Sequence, residues 1–80
     1  MVALRLRVVG HFGGSFPDFV AERMQWLNLS GSSSYPKPGE AIVAVEGPEA
    51  LVGALEMACW LGPLDTLVML VESEPAPWLD

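Results

Sequence analysis

The chain of 80 residues predicts an α+β sandwich, a four-stranded antiparallel sheet with two helices on one face. Three patterns point to it. Residues 2–9 alternate with period two, as a half-buried strand does. Two later stretches repeat apolar residues every three or four positions, as amphipathic helices do. Gly and Pro clusters punctuate the chain between these runs.

Val2, Leu4, Leu6 and Val8 fall on one face of the first strand, and Ala3, Arg5, Arg7 and Val9 on the other. Gly10, Gly13 and Gly14 open a loop. Ser15, Pro17 and Asp18 read as an N-cap, an early helical proline and an acidic first turn. Phe16, Val20, Met24 and Leu27 then form one helical stripe, and Asn28 suits a left-handed exit. Residues 32–35 read as a short polar strand, and Pro36-Lys37-Pro38-Gly39 as a turn. Residues 40–46 form the next strand, with Ile42, Val43 and Val45. Gly47-Pro48 starts a second helix with the stripe Leu51, Leu55 and Cys59, and Gly62-Pro63 ends it. Residues 64–71 form the last strand, and residues 73–80 read as an irregular tail carrying Trp78. The expected organisation is one domain over 1–72 and a tail over 73–80. The order strand, helix, strand, strand, helix, strand, with right-handed crossovers, is that of the ferredoxin-like sandwich.

Composition narrows the function classes. Half of the chain is hydrophobic (51%) and only 18% is charged, which excludes disorder. Acidic residues between the apolar runs, among them Glu46, Glu49, Glu56 and Asp65, leave no stretch long enough to span a membrane. The arginines alternate within the first apolar run instead of preceding it, so a cytoplasmic strand is expected there, not a signal peptide. A net charge of −6 argues against a grip on nucleic-acid phosphates. One Cys and one His cannot supply a zinc set, so neither metal nor cofactor is expected.

The turns form a ladder that resembles the acylphosphatase family, from about residue 3 to residue 72. Leu27-Asn28-Leu29-Ser30-Gly31 resembles the family's Leu-Gly-Leu-x-Gly at the end of the first helix. Gly39, Glu46-Gly47-Pro48 and Gly62-Pro63 stand where the family has its own turns. The resemblance implies a ferredoxin-like enzyme that hydrolyses the carboxyl–phosphate bond with two side chains. One is an arginine in a loop of pattern Gly-x-Val-Gln-Gly-Val-Gly-Phe-Arg, which cradles phosphate together with backbone amides. The other is an asparagine at the end of the second strand, which positions the attacking water.

Here the corresponding loop is Gly10-His11-Phe12-Gly13-Gly14-Ser15-Phe16-Pro17-Asp18. The arginine position falls on Pro17 or Asp18, and the asparagine position on Tyr35. Arginine offers a fork of donors and a permanent positive charge. Proline offers no donor, and aspartate repels the substrate. A unit charge pair about 4 Å apart at an effective dielectric of 20 interacts by about 4 kcal/mol, so reversing the sign costs more than that. Tyrosine cannot reproduce an amide's paired donor and acceptor. The expectation is an acylphosphatase-like protein without that activity.

The loop glycines before a helix can cradle a small anion, but Asp18 in the first turn already faces the positive helix end. His11 has no visible catalytic partner and reads as a plain loop residue. Cys59 reads as a small buried hydrophobe. Trp26 and Trp60 fall off the central stripes, and Met69 sits in a last strand that is apolar on both faces. With Trp78 they form a candidate interface, because tryptophan is enriched at contact hot spots. Arg5 and Arg7 on the open sheet face require acidic partners such as Glu72, Glu74 or Asp80. The sequence thus predicts action by binding or self-association, with a homodimer as the partner state. The alternatives are an acyl-phosphate hydrolase with non-standard catalytic residues, for which Arg23 is the nearest cation, and a module for a small anion or amino acid, the latter by fold analogy alone.

Overall fold

The alternating run at the amino end becomes an inner strand of the sheet. In the computed structural model, which describes residues 1–76, the elements are β1 (Val2–His11), α1 (Phe16–Trp26), β2 (Ser30–Lys37), β3 (Glu40–Gly47), α2 (Glu49–Leu61) and β4 (Leu67–Pro75). The sheet order is β2-β3-β1-β4, and every neighbouring pair is antiparallel. This is the ferredoxin-like arrangement that the element order predicts.

Register follows from side-chain parity. Leu4, Leu6 and Val8 lie opposite Val45, Val43 and Ala41, so these residues share the face covered by the helices. Leu6, Val8, Ala41, Val43 and Val45 are fully buried there. Phe16, Val20 and Met24 of α1 close over them, as their spacing predicts. From α2 the buried residues are Val52, Leu55 and Cys59. Leu55 and Cys59 are buried as expected, whereas Leu51 is only half-buried and Val52 takes its place at the start of the stripe. Burial pushes the Cys59 thiol up to about 11, with Glu56 adding to it, as befits a core residue.

The opposite face is open and polar along its centre. Arg5 bonds Glu74 at 3.2 Å, Arg7 bonds Glu72 at 2.8 Å, and Arg7 also bonds Glu40. The arginines thus find the acidic partners that the sequence requires on β4, and one more on β3. The two carboxylates raise the Arg7 pKa.

The last strand departs most from expectation. Pro63 to Thr66 form a turn closed by a 3.1 Å bond from the Thr66 amide to the Pro63 carbonyl, so β4 starts at Leu67 and not at residue 64. Ser73, Glu74 and Pro75 pair with Leu6, Arg5 and Leu4, so these three residues belong to the sheet and not to an irregular tail. A bulge between Val9 and Gly10 shifts the register. Val8 opposes Val71 and Gly10 opposes Val68, while Leu67, Met69 and Leu70 are exposed. The strand reads as apolar on both faces because its phase changes at the bulge. Trp78 and Asp80 lie outside the described residues.

Candidate functional site

The loop between β1 and α1 is shaped by contacts at both ends. Gly10 donates its amide to the Gly39 carbonyl at 3.0 Å, tying the end of β1 to the β2–β3 turn. Phe12 stacks on Phe16, with ring centroids 4.4 Å apart and planes 8° apart. That stack anchors the loop over the start of α1.

The loop's polar groups meet a side chain from 50 residues further along the chain. Asp65, in the turn between α2 and β4, accepts a 3.2 Å bond from the Ser15 amide and a 2.6 Å bond from the Ser15 hydroxyl. Thr66 Oγ1 also donates to Asp65 at 3.3 Å and accepts from the Gly13 amide at 3.2 Å. The Phe16 amide donates to the Gly13 carbonyl at 3.3 Å. The amides of Gly13, Ser15 and Phe16 are thus all engaged within the chain. The Ser15 hydroxyl holds the Asp65 carboxyl below its usual pKa, assisted by the Ser15 amide and Thr66 against partial desolvation. Ser15 stands at the N-cap position, but its hydroxyl makes no capping bond because it points to Asp65.

Gly13 is required by this arrangement. A β-carbon there would overlap the Asp65 carboxylate and its backbone carbonyl, whereas one on Gly14 would meet nothing. Asp65 and Thr66 were not singled out by sequence reasoning, which placed them inside the last strand. An aspartate in a turn carries no local sign of a partner 50 residues away.

The other sequence candidates are placed as follows. Pro17 lies in the first turn of α1 and Asp18 is the acidic residue of that turn. Tyr35 is brought beside the loop: its ring meets Phe16 edge-on at 6.5 Å, and its hydroxyl donates to Ser33 at 3.3 Å. His11 is exposed at the end of β1, opposite Leu67. With Phe12, Lys37, Glu40 and Met69 it lines a shallow depression beside the loop. Arg23 is not aimed at the loop; its guanidinium lies 5.2 Å from the Phe19 ring centroid and 5.0 Å from that of Trp26. Trp26 is 70% exposed, Trp60 46% and Met69 63%. No three of the described His, Cys, Asp and Glu side chains are grouped to hold a metal ion, and no described helix is long and apolar enough to cross a membrane.

No protein-family model and no curated protein matches the sequence. Solved structures do match. An acylphosphatase from Bacillus subtilis superposes with a TM-score of 0.89 at 23% identity, over 96% of this chain and 87% of that one. The chain has the acylphosphatase fold. A second acylphosphatase, from Coxiella burnetii, gives a TM-score of 0.82 at 23% identity, over 94% of this chain and 80% of that one. Within the acylphosphatase fold, Tyr35 of β2 meets Phe16 at the start of α1, beside the glycine loop. Trp26 and Trp60 sit in the last turns of α1 and α2.

Proposed function

We propose that this chain is an acylphosphatase-like protein that does not hydrolyse acyl phosphates and acts by binding or self-association. One observation supports the loss of activity above the others: in the loop that the resemblance assigns to phosphate, the Ser15 amide and hydroxyl are engaged by the Asp65 carboxylate. The residues at the arginine position, Pro17 or Asp18, add no compensating positive charge. Tyr35 presents a phenol where the resemblance has an amide. Arg23, the cation on which a non-standard hydrolase would depend, stacks on aromatic rings instead. Binding or self-association is supported by the exposed apolar side chains of α2 and β4, Met57, Trp60, Leu61, Leu67 and Met69.

The test is hydrolysis of acetyl phosphate by the purified chain. The expected rate equals that of buffer, and Arg23→Ala leaves it unchanged. Turnover in the parent that falls on Arg23→Ala would establish the hydrolase reading in its place.

A further inference from the structure

We propose that Asp65 is the built-in anion of the loop between β1 and α1. Its carboxylate fills the place that an external oxyanion would take, so the loop accepts inorganic phosphate only when that carboxylate is removed.

The geometry is that of a bound anion. One carboxylate oxygen takes the Ser15 hydroxyl at 2.6 Å, within the short range of a charge-assisted O–H···O⁻ bond. The other takes the Ser15 amide at 3.2 Å, next to the amino end of the 11-residue helix α1. Thr66 adds a third donor and links the carboxylate to the Gly13 amide. The absence of a side chain at Gly13 is what leaves room for the carboxylate. A phosphate arriving here meets a negative charge already seated, on a chain of net charge −6. The competing explanation is a structural clasp between the two loops, which would leave no usable anion site once Asp65 is gone. The proposal concerns the same loop as the loss of activity but is decided by binding, not turnover.

The test titrates inorganic phosphate into the isotope-labelled full chain and follows the amide signals of Gly13, Ser15 and Phe16. In the parent these signals are expected to stay in place. In Asp65→Ala they are expected to move together, with phosphate affinity raised by about tenfold or more, a factor of ten being 1.4 kcal/mol. Asp65→Asn, which keeps the size of the side chain and removes its charge, is expected to give a smaller response of the same kind; it decides the matter if Asp65→Ala fails to fold. A parent that binds phosphate as well as Asp65→Ala overturns the proposal, as do folded variants indifferent to phosphate. Acetyl phosphate turnover in the parent would sink the loss of activity alone, leaving the phosphate titration to decide this point.

Discussion

Asp65 shows how much one side chain can change the meaning of a loop. From sequence, the glycines, Pro17, Asp18 and Tyr35 are visible, and they suffice to expect an inactive relative. The carboxylate that engages the loop is not visible, because chain neighbours do not announce a partner brought close by the sheet. Its ionisation has a consequence for stability. Its hydrogen bonds lower the folded-state pKa below the usual 3.8. The stabilisation is therefore full above pH 3.8 and is lost as pH falls through the lowered folded value. Urea denaturation of the parent and of Asp65→Ala is expected to give a gap at neutral pH that narrows in strong acid. A gap of constant size would mean that the charge contributes nothing.

At the level of elements, simple parity recovers most of the architecture. The β1 alternation and the α1 stripe are both legible, because each buries one face against a single layer. Legibility fails where two effects overlap. The second helix is apolar nearly all round, so spacing alone cannot choose between Leu51 and Val52 for the core. The last strand changes phase at a bulge, which no local residue signals, and its far end is held by Glu72 and Glu74 pairing with arginines more than 60 residues earlier. The exchange of Leu51 for Val52 in the core has an energetic signature. Leu55→Ala, at a fully buried position, is expected to cost about 2–5 kcal/mol. Leu51→Ala, at a half-buried one, is expected to cost clearly less. Equal losses in chemical denaturation would contradict the half-buried placement of Leu51.

Across the whole molecule, the apolar surplus of the composition lies outside the core. The core is filled by residues of β1, β3, α1 and α2 with Val71 of β4, while Met57, Leu61 and Leu64 are exposed at the end of α2 and in the turn beyond it. Beside them on the chain, β4 adds Leu67 and Met69. Self-association through these exposed side chains is expected to give a dimer or larger species in sedimentation at micromolar concentration. Leu61→Glu is expected to shift that species toward monomer without loss of thermal stability, since the site is exposed in the single chain. A monomeric parent would remove the self-association reading and leave binding to another partner.

The two borders of the sheet are unequally protected against strand addition. The β2 border is a run of serines ending in Tyr35, Pro36 and Lys37, all exposed, and proline and lysine are residues that discourage a docking strand. The β4 border carries Leu67, Met69 and Leu70 and is guarded only in its carboxyl half, by Glu72, Glu74 and Pro75. A chain with one receptive border and one refractory border cannot propagate by joining sheets. Two copies meeting β4 to β4 would present only β2 borders outward, so growth by that route stops at a closed pair.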